Sequence, residues 1–206
     1  MSVQTIGRRD LILLLVGVDA SGHVGDAIGG LTRLQKLLFL LEREEHVSTS
    51  GEGFVFEPYK AGPYSSRLYD DLEFLENLGL LKREVSGRAT EIEIAEENEI
   101  AELDRLTFGD LMGDGGEDRE GESFDSARAA DAYEEHRYSL TEMGCAKVKA
   151  ILEGKDTQLV SSIRRIKSKY AAYSLTDLLH YVYTKYPDMT TESEIKEKVL
   201  RSRQTQ

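Results

Sequence analysis

Basic side chains are concentrated in one short run near the C-terminal end of the chain. The run contains Arg164, Arg165, Lys167 and Lys169. On a helix, Ile163, Ile166 and Tyr170 would face inward while these four cations point outward. Such an array can bind phosphates or an acidic partner, and it also occurs on solvated helix faces. Both interpretations stay open, including one in which the run is held against the acidic part of the same chain.

A second charged set falls at helical spacing in residues 65–79. It contains Asp70, Asp71, Glu73 and Glu76, all of which we expect to be exposed. Arg67 is the single basic residue of this stretch. A helix that reads DNA presents Arg, Lys, Asn or Gln to base edges, and carboxylates repel the phosphates. The acidic helix therefore favours a basic protein over DNA as its partner.

The turn before this helix brings further polar side chains together. In Lys60-Ala61-Gly62-Pro63-Tyr64, proline presets one backbone angle and glycine adopts conformations that other residues avoid. We expect Lys60, Tyr64 and Arg67 to cluster near the turn. The predicted partner-binding residues are Lys60, Tyr64, Arg67, Asp70, Asp71 and Glu73.

Tyrosines are frequent between residues 170 and 186. They are Tyr170, Tyr173, Tyr181, Tyr183 and Tyr186. A platform that stacks single-stranded bases is one interpretation. We favour packing, within the chain or in a homodimer formed through the C-terminal helices, because a tyrosine ring can be buried while its hydroxyl keeps a polar partner.

The residue types needed for catalysis or metal binding do not combine into a recognisable site. The four histidines are scattered along the chain, and Cys145 is the single cysteine, so no disulfide or Cys-x-x-Cys pair can form within the chain. The glycine- and aspartate-rich run 113–122 lacks the alternating acids of a calcium loop. No nucleophile elbow, phosphate loop or dinucleotide fingerprint is present. We predict a protein that is not an enzyme and has no metal and no cofactor.

The net charge of −12 comes from one segment. Residues 84–136 contain 18 acids and 4 bases, whereas the rest of the chain contains 20 acids and 22 bases. Few large apolar residues interrupt 113–130, so this stretch cannot bury enough surface to order itself. We predict an acidic, partly disordered insertion over 95–135. The remaining fold is nearly neutral, and the total charge does not exclude a local contact with nucleic acid.

Apolar periodicity predicts the elements that position these residues. Helices are expected over 8–18, from 32, and over 65–79, 141–152, 156–171 and 175–186. Strands are expected over 54–56, 80–85, 90–94 and 136–140, with a glycine-rich link between the first two helices. The inward face of helix 65–79 is predicted to include Leu68, Leu72, Leu75 and Leu78, with Phe74 alongside. That of helix 141–152 is predicted to include Met143. Ser65 or Ser66 and Thr141 are expected to cap their helices, and residues 190–206 to form a frayed charged tail.

The apolar run Leu11–Val16 is too short to cross a bilayer. We interpret residues 8–18 as a buried helix rather than a signal peptide. The single cysteine suits a reducing compartment. We therefore predict a cytoplasmic protein that does not bind a membrane.

The order of elements from residue 65 to 152 looks like the end of a winged helix-turn-helix. A helix is followed by a strand, and a second strand leads into Leu140-Thr141-Glu142-Met143-Gly144, a Leu-Thr-x-x-Gly phrase common to many regulators. The resemblance implies a third helix, a wing hairpin and a C-terminal helix. We predict an α+β fold with one domain over 1–206, comprising a winged-helix core, the acidic insertion in its wing and a helical extension over 156–186.

Two further phrases narrow the resemblance. Leu34-Gln35-Lys36-Leu37-Leu38-Phe39, followed by Gly62-Pro63-Tyr64-Ser65, resembles the SocA-like (Panacea) antitoxin domain. The Thr-Arg-Leu-Gln-Lys-Leu opening and the Tyr-Lys-Ala-Gly-Pro-Tyr turn look closer still to the YwgA-like proteins of bacteria and archaea. The resemblance covers roughly residues 31–83 well and 137–186 loosely. It implies a non-enzymatic domain that grips a partner protein, such as a toxin or a defence-system component, and it supplies no catalytic residue.

The leading hypothesis is a cytoplasmic regulator or adaptor that binds a partner protein, similar to an antitoxin. The alternative is a DNA-binding winged-helix transcriptional regulator. Its phosphate contacts would come from Arg33, Lys36, Lys82, Arg83, Arg164, Arg165, Lys167 and Lys169.

Overall fold

The computed structural model describes residues 5–86, 135–154, 157–170 and 172–201. The predicted strand 90–94 lies outside the described residues, and so does the predicted acidic insertion apart from its last residue. The described residues form a mixed α/β fold, which confirms the predicted α+β class at that level.

The helices are separated by short strands. The helices are α1 (Arg8–Gly17), α2 (Leu31–Glu45), α3 (Ser66–Asn77), α4 (Glu142–Gly154), α5 (Thr157–Tyr170), α6 (Leu175–Lys185) and α7 (Lys196–Arg201), with a 3-10 helix at Pro187–Thr190. The strands are β1 (Thr5–Ile6), β2 (Ala27–Gly29), β3 (Ser48–Thr49), β4 (Glu57–Tyr59), β5 (Gly62–Tyr64), β6 (Leu81–Ser86) and β7 (Glu135–Leu140).

The largest sheet has three antiparallel strands in the order β2-β7-β6. Tyr138 in the central strand pairs with Ile28 of β2 on one side and with Arg83 of β6 on the other. Strand β6 begins soon after α3 ends, and β7 leads directly into α4. The sheet therefore connects the C-terminal end of α3 to the N-terminal end of α4.

The apolar run of α1 is at the centre of the core. Residues 11–16 are each at most 1% exposed, and α1 contacts α2, α3, α4, β2 and β7. An α-helix with apolar side chains on all sides is stable in water only when other elements surround it. The predicted buried helix is thus confirmed. None of the helices in the described ranges has the length and apolar character that crossing a membrane requires.

The Leu-Thr-x-x-Gly phrase fixes how α4 meets the end of α3. The Thr141 hydroxyl donates a hydrogen bond to the Gly79 carbonyl at 2.5 Å and accepts one from the Gly144 amide at 3.1 Å, so the predicted cap is confirmed. A Cβ atom at Gly144 would lie 2.0 Å from the Leu80 carbonyl oxygen. Glycine is therefore needed at this position for the close approach of the two backbones.

The N-terminal half differs from the prediction in three places. Residues 54–56 do not form a strand; the strands are β4 and β5, which pair as a hairpin around the Lys60–Ala61 turn. The glycine-rich link contains β2, whose three residues are too few to show a periodic pattern. Ser65 precedes α3 as expected, but its hydroxyl donates to the Phe54 carbonyl and caps no first-turn amide.

The C-terminal extension packs onto the core as three helices. Helices α5 and α6 contact α2, and α7 contacts α6. Ile195 and Val199 are 5% and 3% exposed. The prediction of a frayed tail is therefore wrong for residues 190–201, because these two apolar side chains, four residues apart, bury against α6.

Candidate functional site

The outer face of α3 is acidic and open to solvent. Leu68, Leu72 and Leu75 bury the opposite face, which leaves Asp70, Glu73 and Asn77 exposed. Neither Asp70 nor Glu73 has an ion-pair partner within 4 Å among the described residues. Glu76 is half-buried and lies 3.9 Å from Arg83. The prediction that Asp70 and Glu73 are exposed is thus confirmed.

Asp71 does not belong to this surface. Its side chain is 1% exposed and is held by Arg8 Nε at 2.7 Å and by Arg9 Nε at 2.8 Å. The prediction that Asp71 is an exposed partner-binding residue is wrong, because α1 supplies two cations that bury the carboxylate between the helices. Asp71 joins α1 to α3 instead.

Three large apolar side chains are exposed beside the acidic face. Phe74, Leu78 and Met143 are 40%, 50% and 58% exposed. Phe74 and Leu78 are four residues apart, so they lie on the same side of the helix. Met143 lies against the end of α3: its Cε atom is 3.1 Å from the position that a Cβ atom on Gly79 would have. The prediction that these three side chains face inward is wrong. Phe74 lies beside Glu73 on the outer side of α3, Leu78 follows the last helical residue of α3, and Met143 lies in the first turn of α4. We call these three residues the apolar ledge.

The two phrases that carry the family resemblance meet in the interior. Lys36 Nζ donates to the Pro63 carbonyl at 2.9 Å, and Gln35 Oε1 accepts from the Ser65 amide at 2.9 Å. Lys36 is 3% exposed, so its predicted contact with nucleic acid is wrong. The motif pair ties α2 to the hairpin, and its polar side chains satisfy buried backbone groups.

The C-terminal extension packs against the 60–67 turn. Gly62 has a φ of +84°, and a Cβ there would lie 2.8 Å from Tyr183 Cε1 of α6. The Lys60 carbonyl accepts a hydrogen bond from the Glu194 amide at 3.0 Å. The turn therefore docks α6 and the chain before α7, and this packing reduces the surface that it can offer to a partner.

The other predicted residues of the turn are half-buried. The Tyr64 ring lies between the rings of Tyr59 and Tyr69, with centroid distances of 4.8 and 5.6 Å. Arg67 binds the Glu52 carboxylate at 2.5 Å and donates to the Glu52 and Gly53 carbonyls. Arg67 thus anchors the 52–53 loop. Of the six predicted partner-binding residues, Asp70 and Glu73 are the two that are exposed.

The basic run on α5 finds its counter-charges within the chain. Lys167 is 6% exposed and lies 2.7 Å from Asp26 Oδ2, so its predicted phosphate contact is wrong. Arg165 binds Glu45 at 2.5 Å and Lys169 binds Glu44 at 2.8 Å. The described counter-charges come from α2 and the loop before β2, and the predicted acidic insertion lies outside the described residues.

Glu44 is the centre of a polar cluster formed by two tyrosines and two lysines. Its carboxylate accepts hydrogen bonds from the hydroxyls of Tyr170 and Tyr181 and from the Lys169 and Lys185 amines, at 2.6–2.9 Å. Burial acts to raise the pKa of Glu44, but these four donors outweigh it and lower the pKa to about 2. The cluster joins α2, α5 and α6, and no short-range sequence pattern links its members.

The remaining predicted nucleic-acid residues are distributed over separate surfaces. Arg33 is half-buried and donates to the Tyr173 carbonyl at 3.0 Å. Lys82 and Arg83 are exposed on β6, and Lys82 binds Glu84 at 2.6 Å. Arg164 is exposed on α5 and lies near the Ala20 carbonyl. These cations lie on three different elements, α2, β6 and α5.

An open depression of about 630 Å³ lies between β6 and α4, lined by Lys82, Leu140, Thr141, Glu142, Cys145, Ala146 and Lys149. Across the described ranges, no group of three or more His, Cys, Asp or Glu side chains is placed to hold a metal ion.

Comparison with protein-family models, with curated proteins and with solved structures gives no match for this chain.

Proposed function

We propose that the protein is a cytoplasmic winged-helix regulator that binds a partner protein. The described elements run α1-β2-α2-β3-β4-β5-α3-β6-β7, with the β4-β5 hairpin between α2 and α3, and the largest sheet has the order β2-β7-β6. The succession α3-β6-β7 and this sheet support the winged-helix interpretation, in which α3 is the recognition helix and β6 and β7 are the wing. The resemblance to SocA-like and YwgA-like proteins supports a partner such as a toxin or a defence-system component.

The observation that carries the proposal is the chemistry of the α3 outer face. In a DNA reader this face would enter the major groove and offer basic or amide side chains. Here it offers Asp70 and Glu73 with one amide, Asn77, while the single basic residue of the helix, Arg67, is bound to the 52–53 loop. Each exposed carboxylate would repel the phosphates of a duplex and would attract a basic protein surface.

A photo-cross-linking amino acid at Asn77 tests the proposal in the protein's own cells. We expect a specific protein adduct from Asn77, which is exposed on α3, and none from the matched exposed position Glu192 outside this face. Purified protein should show no duplex affinity above background at physiological salt. Adducts of equal yield from both positions, or none from Asn77, would contradict the proposal.

DNA binding through the wing is the second candidate. Lys82, Arg83 and Arg137 are exposed on β6 and β7, and a wing can contact phosphates without using α3. Such binding should weaken steeply as salt rises. A double variant, Lys82→Ala with Arg83→Ala, should then lose affinity for duplexes of every sequence, whereas Lys147→Ala on α4 provides a matched control.

A further inference from the structure

The apolar ledge is unlike the rest of the described surface. Large apolar side chains with the greatest exposure are Val55, Phe74, Leu78 and Met143, and three of these four lie on the ledge. Single exposed apolar residues are ordinary, whereas a contiguous group marks a surface that another molecule covers. Phe74 and Leu78 lie one helical turn apart, which is the spacing that a helix in a groove recognises.

One ledge residue is held in place before any partner arrives. The Arg9 guanidinium carbon lies 3.5 Å from the centroid of the Phe74 ring, and the same guanidinium is fixed by Asp71 at 2.8 Å. This cation–π contact orients the ring while 40% of the residue stays exposed. An aromatic side chain that is both exposed and pre-oriented loses little conformational entropy on binding.

Exposed carboxylates lie on both helices of the ledge. Asp70 and Glu73 flank Phe74 on α3, and Glu142 precedes Met143 on α4; all three are exposed and lack an ion pair within 4 Å among the described residues. Cations lie nearby as well: Arg9 shares the Asp71 carboxylate with Arg8, Lys147 lies 4.0 Å from Asp10, and Lys82 and Lys149 line the depression that also contains Glu142. The exposed carboxylates of Asp70 and Glu73 therefore form an acidic rim on the α3 side of the apolar ledge.

We infer that the apolar ledge binds a basic amphipathic helix of the partner protein, with the apolar face of that helix on Phe74, Leu78 and Met143 and its Lys or Arg residues on the acidic rim. This inference rests on the proposed function and specifies the chemistry of the partner. The apolar centre supplies affinity, and the rim selects basic helices over acidic ones of the same apolar pattern.

Two synthetic peptides of about 18 residues probe the surface directly. One has leucines on one helical face and lysines on the other, and the second has glutamate in place of every lysine. Fluorescence anisotropy with the full chain should show that the lysine peptide binds and that the glutamate peptide binds at least about tenfold more weakly. Raising the salt concentration should weaken binding of the lysine peptide.

Two independent pairs of variants locate the binding. Leu78→Ser with Met143→Gln removes two of the three apolar side chains of the ledge, and Asp70→Asn with Glu73→Gln removes charge from the rim. Each pair should weaken binding of the lysine peptide about tenfold. Val55→Asn is the control, because Val55 is 49% exposed outside the ledge and has a φ of +52°, which asparagine tolerates. Circular dichroism checks that each variant is folded. If one pair of variants does not fold, the other pair still tests the inference.

Three results would overturn the inference. They are equal binding of the two peptides, wild-type binding by both variant pairs, and sedimentation of the wild-type chain as a dimer that Leu78→Ser converts to a monomer, since a second copy would then cover the ledge. The proposed function is judged separately by the Asn77 adduct. If Asn77 captures a specific protein while the lysine peptide fails, the inference alone is rejected.

Discussion

The outer face of α3 and the basic run of α5 are both short helical stretches rich in one sign of charge. On α3, Asp70 and Glu73 are exposed and have no ion-pair partner within 4 Å in the described part of the chain. On α5, Arg165, Lys167 and Lys169 each bind a carboxylate of the same chain at 2.5–2.8 Å. The acidic face is therefore unpaired within the described residues, whereas most of the basic run pairs with carboxylates of the same fold.

The difference arises from what each helix packs against. The end of α2 carries Glu44 and Glu45, and α5 crosses α2 at that end, so counter-charges meet its cations. Helix α3 packs on α1, whose Arg8 and Arg9 are both used by Asp71. Opposite charges that meet inside the fold add stability, and those left unmatched add selectivity toward a partner.

The largest expected effect separates two neighbouring aspartates on α3. Asp71→Ala should lower the free energy of unfolding by about 3 kcal/mol, because two guanidinium groups lose a carboxylate that is 1% exposed. Asp70→Ala should stay within about 0.5 kcal/mol, since Asp70 is exposed. Urea unfolding of both variants measures the contrast. Equal losses would mean that the buried and exposed carboxylates of α3 have the same structural role.

The sequence predicts where the helices lie, but it does not predict the contacts between charged residues that are far apart in the chain. Helical periodicity places α1, α3, α5 and α6 to within about two residues, because a repeating apolar face is a local property. The burial of Asp71 depends on residues 8 and 9, and that of Lys167 depends on Asp26. Partners so distant in sequence leave no spacing signal.

The candidate site shows the same limit. Asp70 and Glu73 could be predicted as an exposed acidic pair from helical spacing alone. Leu78 and Met143 also fit the spacing of an inward apolar face. Both lie at helix ends, however, and they are 50% and 58% exposed. Their exposure follows from where α3 stops and α4 starts, which the Gly79 and Gly144 contacts set.

Glu44 tests whether the basic side of the comparison is structural. Glu44→Gln should destabilise the protein by about 2 kcal/mol, because Lys169 and Lys185 lose their shared negative partner and two tyrosine hydroxyls lose a charged acceptor. Glu73→Gln, the same substitution on the exposed face of α3, should change stability by less than about 0.5 kcal/mol. Thermal unfolding distinguishes the two. A neutral Glu44→Gln would show that the α5 cations do not need their internal partner.

Glu42 and Glu44 both lie on α2, and we expect their contributions to stability to change with pH in opposite directions. Burial raises the pKa of Glu42 from 4.5 to about 7, opposed by a hydrogen bond from the Phe54 backbone and by Arg43. Between pH 4.5 and 7 the unfolded chain has released this proton and the folded chain still holds it, so stability falls as pH rises. For Glu44, stability changes with pH in the opposite direction. Because its pKa is about 2, the stability that Glu44 contributes is present above pH 4.5 and is lost as pH falls toward 2.

Glu42→Gln should therefore stabilise the protein by about 1 kcal/mol at pH 8 and have little effect at pH 4.5, because glutamine keeps the size of the side chain and carries no buried charge. Urea midpoints measured across this range check the sign. Glu44→Gln should lose stability at pH 8 under the same conditions. A Glu42→Gln variant whose stability relative to wild type does not change with pH would contradict the assigned burial.

The smallest expected effect concerns the edge of the basic run. Arg165 is 57% exposed although it binds Glu45, so Glu45→Gln should cost less than about 0.5 kcal/mol. The freed guanidinium should raise affinity for duplex DNA at low salt by about threefold, and the gain should vanish at physiological salt. Adding Arg165→Gln should cancel it, and Glu192→Gln should not produce it. An unchanged duplex affinity in Glu45→Gln would mean that α5 does not bind phosphates even when the counter-charge of Arg165 is removed. The acidic face of α3 would then remain the proposed partner-binding surface.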